Sequence, residues 1–172
     1  MLVGVDLSSR GLGLVALPPA WDLAWPRIVT ARLSEPMRRG ATEAEQIARR
    51  ARLADGVLRF CDRVHATSVW IEGYPLSGRV HGLSGLCELG GVVRDRLAHV
   101  GLDVRTAPLS TARKLVLGRL PRAEVKWITH EVLRSVGAPA SWTGDELDAF
   151  VAANFGASEL GVCCIACPEV AA

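Results

Sequence analysis

Leu2-Val3-Gly4-Val5-Asp6-Leu7-Ser8-Ser9-Arg10-Gly11-Leu12-Gly13-Leu14-Val15-Ala16-Leu17 opens the chain. Two apolar runs separated by Ser8-Ser9-Arg10-Gly11 predict a β-hairpin, with strands over 2–7 and 11–17. Pro18-Pro19 stops the second strand. Asp6 is out of place in this pattern. A carboxylate beside a core is costly unless it is paired, and a metal ion is one such partner.

The same anomaly recurs further along. Glu72 closes the short apolar strand Ser68–Glu72, which Gly73-Tyr74-Pro75 then breaks. Asp145 and Asp148 open Leu147-Asp148-Ala149-Phe150-Val151-Ala152-Ala153, otherwise a buried helix over 144–155. Their three-residue spacing puts both acids on one helix face. Glu146 is the capping partner of Thr143.

Between these points the chain alternates. An edge strand is expected over 27–33. A helix follows over 42–65, capped by Thr42 and Glu45, with Ile47, Ala51, Ala54, Val57, Leu58, Cys61 and Val64 inward and Arg49, Arg50, Arg52 and Arg59 outward. A helix ending near residue 100 follows Glu72, then a strand over 103–107. Pro108 introduces a short helical turn carrying Arg113 and Lys114, and a helix over 121–136 is expected next. Val162–Ala166 reads as a last strand or an ordered end. Three leading strands followed by alternating helices and strands predict a mixed α/β sheet with helices on its faces.

The chain has 172 residues, 49% hydrophobic and 22% charged. That fits one domain over 1–172 and excludes a disordered chain. No apolar run is long enough for a membrane span. The N-terminus lacks the layout of a secretion signal, and the five cysteines are an odd number, so reduced thiols and a cytoplasmic setting are expected. Cys164-x-x-Cys167 has no second pair to complete a zinc site and reads as buried thiols. His65, His99 and His130 read as surface or core residues. The net charge is +2 and arginine far outnumbers lysine, Lys114 and Lys126 being the only lysines. Arginine suits bidentate contacts to phosphate.

Four carboxylates on three separate elements suggest one site for hard divalent cations, Mg²⁺ or Mn²⁺. Two such ions can clamp an in-line displacement at phosphorus. Arg113, Lys114, Arg119, Arg122 and Lys126 fall in one stretch before the last two helices and are candidate phosphate contacts, or a solvated face. Arg79 and His81 flank a Gly/Ser-rich loop placed to meet DNA. Tyr74, the only tyrosine, either stacks on an unpaired base or packs against Pro75. Gly90-Gly91 weakens its helix unless something approaches closely there.

In order along the chain, several motifs resemble RuvC-type Holliday junction resolvases of the ribonuclease H-like superfamily, the shorter phage-like branch especially. They are Val3-Gly4-Val5-Asp6 with Ser9-Arg10 and Gly13; Val69-Trp70-Ile71-Glu72-Gly73-Tyr74; Glu88 to Arg94; Lys114 to Gly118 with Arg122 to Val125; and Asp145-Glu146-Leu147-Asp148-Ala149. The match is weakest over 18–67. The resemblance implies a ribonuclease H-like sheet of five strands and a catalytic tetrad of Asp6, Glu72, Asp145 and Asp148. It implies two Mg²⁺ ions bridged by Asp6, with Lys114 and then Arg122 as the basic residues nearest the centre. It implies a homodimer that nicks two strands of a four-way DNA junction, leaving 5′-phosphate and 3′-hydroxyl ends. Leu7-Ser8 stands where the family usually has Pro-Gly, Gly118-Arg119-Leu120 lacks the second glycine, and Arg122 replaces a lysine; these bear on substrate grip.

Three alternatives stay open. One is a broader nuclease acting on forks, flaps or RNA–DNA hybrids. Another is a non-catalytic DNA-binding module. The third, an actin-like nucleotide-binding ATPase, would need two such domains, so no nucleotide cofactor is expected.

Overall fold

The computed structural model describes residues 1–8, 10–19, 25–74, 83–162 and 164–165. Five strands, β1 (Leu2–Leu7), β2 (Gly11–Leu17), β3 (Val29–Ser34), β4 (Ser68–Glu72) and β5 (Asp103–Ala107), form one sheet in the order β3-β2-β1-β4-β5. β1 is antiparallel to β2 and parallel to β4; β2 is antiparallel to β3, and β4 parallel to β5. The central strand β1 is buried along its whole length. A strand covered on both faces needs apolar residues at every position, which is why its sequence shows no alternation.

Alternate residues feed two cores. Val3, Val5, Leu12, Leu14, Val69 and Ile71 face α1 (Glu43–Arg63) and α2 (Leu83–His99). Leu2, Val15, Leu17 and Trp70 face α5 (Gly144–Glu159), with α3 (Leu109–Leu117) and α4 (Val125–Ser135) beside it. Helices therefore cover both faces of a mixed five-stranded sheet, as expected. No helix among the described residues is long and apolar enough to cross a membrane.

Local signals set the helix ends. Glu45 accepts from the Thr42 backbone N–H at 2.7 Å, and Glu146 accepts from that of Thr143 at 2.8 Å. Both expected capping boxes are formed. Every residue from Leu147 to Ala157 is buried, so α5 is the inner helix of its layer. At its far end the Asn154 side chain accepts from the Ile165 N–H at 2.7 Å and donates to the Ile165 carbonyl at 3.0 Å. The tail over the described residues 162, 164 and 165 is thus an ordered end and not a strand.

Several expectations shift. The turn after Pro108 is a helix of nine residues, held because Ala112, Val116 and Leu117 pack into the core. α4 begins at Val125 because Glu124 adopts a left-handed backbone (φ 56°) that ends the preceding turn. On α1, Ile47 is exposed and Arg49 is buried, reversing their expected faces. The loop after β3 covers that side of the helix, and Arg49 donates to the Glu35 carbonyl there. Cys61 is buried in its core, and burial pushes its thiol up to about 12. Cys164 is half-buried; Arg79, His81 and Cys167 lie outside the described residues.

Candidate active site

The register brings the acids together. Val5 pairs with Ile71 across the parallel β1–β4 ladder, so Asp6 and Glu72 emerge next to each other at the same sheet end. Asp6 pairs with Gly13 across the hairpin. By strand alternation, Gly4, Asp6, Gly13 and Glu72 all face α5.

The glycines let that helix descend. A Cβ at Gly4 would lie 2.0 Å from the Ala149 carbonyl oxygen, and one at Gly13 would lie 2.1 Å from that of Asp145. No side chain fits at either position, so α5 lies directly on the β1–β2 backbone. Its first turn then sits over the end of the sheet that carries Asp6. Asp6, Glu72 and Asp145 line one cavity of about 300 Å³ together with Tyr74, Arg113 and Lys126.

The four carboxylates are held differently. Asp6 is 5% exposed. Burial raises its pKa well above the ordinary value, and a hydrogen bond to Glu72 with the charges of Glu72 and Asp148 adds to the rise. Asp148 is 2% exposed but well partnered. Its Oδ1 accepts from Arg113 at 3.1 Å and from His130 Nε2 at 3.0 Å, and the Lys126 ammonium closes on Oδ2. Burial alone would raise the Asp148 pKa; the bonds from His130 and Lys126 overcome it and hold the carboxyl below its usual range. Burial likewise works to lower the Lys126 pKa, and Asp148, Asp6 and Glu72 together raise it instead. Arg113 also reaches Glu72 at 3.6 Å, and Arg32 of β3 reaches Asp145 at 3.5 Å.

The donor chemistry fits a hard cation at Asp6 and Glu72. These are two crowded carboxyls of like charge, one of them buried, and a cation would relieve both the repulsion and the burial cost. Asp148 and Asp145 are paired with protein cations. Among the described residues, no group of three or more His, Cys, Asp or Glu side chains is spaced as ligands to one ion. Drawing all four acids onto ions would require Asp148 to exchange Arg113, His130 or Lys126 for the metal.

The basic residues divide sharply. Arg113 and Lys126 are at the acids. Lys114 is exposed and makes no hydrogen bond or ion pair among the described residues. One residue beyond Arg113 on α3, it points about 100° round the helix. The lysine at the acids is therefore Lys126, from the next helix. Arg119 and Arg122 are exposed between α3 and α4. Tyr74 lines the cavity, but its hydroxyl accepts from Arg94 at 2.8 Å, with that guanidinium 5.2 Å from its ring centroid. Its hydroxyl would sit 1.7 Å from a Cβ at Gly90, which is the close approach that explains this glycine inside α2.

Nothing in the sequence marks His130 or Arg32 as a site residue. His130 belongs to a helix whose Val125, Ile128 and Val132 gave the only clear pattern. Arg32 stands on an edge strand with no local mark.

Nearly the whole chain superposes on Thermus thermophilus RuvC, with a TM-score of 0.64 at 17% identity over 94% of this chain and 96% of that one. The fold is ribonuclease H-like. A structure of T. thermophilus RuvC in complex with a Holliday junction substrate matches with a TM-score of 0.65 at 15% identity, over 93% of this chain and 95% of that one. No family model matches the chain, and no curated protein does. The RuvC likeness therefore carries the architecture alone.

Proposed function

We propose that this protein is a metal-dependent endonuclease that resolves four-way DNA junctions by paired nicks, as a homodimer of the phage-like RuvC type. The observation that carries the reading is the convergence of Asp6, Glu72 and Asp145 on one cavity with Lys126 and Arg113, in a fold shared with RuvC, one structure of which contains a Holliday junction. Acids alone would repel DNA. Acids ringed by cations accommodate a phosphodiester, which brings its own negative charge.

Asp6, Glu72, Asp145 and Asp148 would hold two Mg²⁺ ions, or Mn²⁺ in their place, and that pair would supply an activated water and a stabilised leaving oxygen, giving 5′-phosphate and 3′-hydroxyl ends. The chain's own groups do the rest. Arg113, nearly buried, orients Glu72 and Asp148 together. Lys126, half in water and bonded to Asp148, would meet the scissile phosphate at the cavity mouth. Arg119 and Arg122 extend positive charge along the surface for the flanking backbone.

One observation favours a second reading, a DNA-binding module without catalysis: Asp148 is already paired with Arg113 and Lys126. Cleavage assays on junction, fork, flap, linear duplex and RNA–DNA hybrid substrates with Mg²⁺ and Mn²⁺ separate the two. Nicking of junctions that Asp6→Asn and Asp148→Asn both abolish supports the nuclease. Junction binding without nicking under either metal supports the module. Equal cutting of junction and duplex would remove the junction preference and leave a broader nuclease.

A further inference from the structure

Trp127 lies one residue from Lys126 on α4 and is 60% exposed. The other described tryptophans are placed differently. Trp70 and Trp142 are buried, and Trp25, Trp70 and Trp142 all stack against phenylalanines or one another in the core beneath α5. Among the described residues the Trp127 indole meets no ring and no hydrogen-bond partner. A tryptophan left in water forfeits the largest apolar burial that any side chain offers.

Glu124, Lys126, Trp127 and His130 line a shallow, open depression of the surface beside the indole. Lys126 and His130 are both turned to Asp148. What remains is an indole face and the Glu124 carboxylate. That combination repels a phosphate. It suits a flat, neutral ring bearing an amino group, with the ring stacked on indole and the amine donating to the carboxylate. Glu124 is held in a left-handed backbone that a non-glycine residue rarely adopts, and such strain collects at binding sites.

We propose that Trp127 and Glu124 form a nucleobase site, stacking and hydrogen-bonding an unpaired adenine, cytosine or guanine next to the acid-lined cavity. This rests on the nuclease reading above and adds to it a base contact from α4. The site selects for distorted DNA because a base within an intact duplex offers no free face.

The test uses the full chain in the Asp6→Asn background with Ca²⁺, so that binding is read without cutting. The probes are a four-way junction and a linear duplex, each with 2-aminopurine in turn at positions next to the cleavage point. Trp127→Ala is expected to weaken junction binding about ten- to a hundredfold, to abolish the 2-aminopurine quench, and to leave duplex binding within about threefold. Trp127→Phe keeps a ring and should keep most of both signals. Glu124→Gln should narrow the preference for amino-bearing bases over thymine. If Trp127→Ala binds the junction as tightly as its parent and the quench persists, the base site is wrong while the nuclease reading stands. If the parent itself binds neither DNA, both fall together.

Discussion

A Cβ on Gly13 would meet the carbonyl oxygen of Asp145 at 2.1 Å. The hairpin glycine and the helix acid are thus parts of one contact, and the position of Asp145 depends on the missing side chain. Gly13→Ala should push the first turn of α5 off the sheet. Overpacking of this kind costs about 1–3 kcal/mol, seen as a fall of several degrees in the melting temperature. Junction cleavage should fall further than stability implies, about a hundredfold, because displacement of a catalytic group by about 1 Å has that effect. A variant that melts lower yet cleaves normally would separate Asp145 from the chemistry.

Burial and its acidic neighbours push the Asp6 pKa well above the ordinary carboxylate value. With its folded pKa raised, the native state keeps a proton that the unfolded chain releases, so this group's stabilisation is greatest in acid and is lost as pH rises through the folded pKa. Asp6→Asn removes the burial cost of the charge. Without divalent metal, the variant should melt above the parent at neutral pH, with the gap closing in acid. With Mg²⁺ the parent should gain stability and Asp6→Asn should gain less. Melting curves across pH with and without the ion read both effects; a gap that widens in acid would contradict the raised pKa.

Asp148 is buried among Arg113, Lys126 and His130, which differ in exposure. Removing one partner of a buried ion pair typically costs about 3–5 kcal/mol. Arg113→Met should approach that cost, since both groups are out of water. Lys126→Met should cost less, about 1 kcal/mol, because the lysine side chain is 55% exposed. Denaturant titration without metal gives the ranking. If Mg²⁺ replaces a protein cation at Asp148, Lys126→Met should bind Mn²⁺ more tightly than the parent, as read by electron paramagnetic resonance.

Gly90→Ala isolates Tyr74. The added methyl would strike the Tyr74 hydroxyl, a side-chain tip that can swing away, while alanine in place of glycine favours the helix by about 1 kcal/mol. The melting temperature should therefore change little. Junction affinity should fall to the level of Tyr74→Ala, and combining the two substitutions should add nothing further. Full additivity in gel-shift titrations would show that Gly90 acts by another route.

What could be read from the sequence follows from how locally each feature is marked. Asp6 and Glu72 stand out because apolar residues lead up to them, and strand alternation with the register does the rest. α5 reads as buried because its apolar run is unbroken. The cations that meet these acids carry no such mark. Lys126 and Lys114 look alike in sequence, and only the start of α4 at Val125, fixed by the backbone of Glu124, brings Lys126 to Asp148. His130 is hidden for the same reason. Arg49 misleads in the other direction: its partner is the carbonyl of Glu35, a group that every residue possesses and that no sequence pattern reveals.

The hydrogen-bonded clasp between Asn154 and Ile165 makes α5 a beam anchored at both ends, at Gly13 near the acids and at the returning tail beyond. A beam fixed twice does not fray from one side. Trimming the tail would remove both Asn154–Ile165 bonds and leave the far end of α5 held by its packing on the sheet alone.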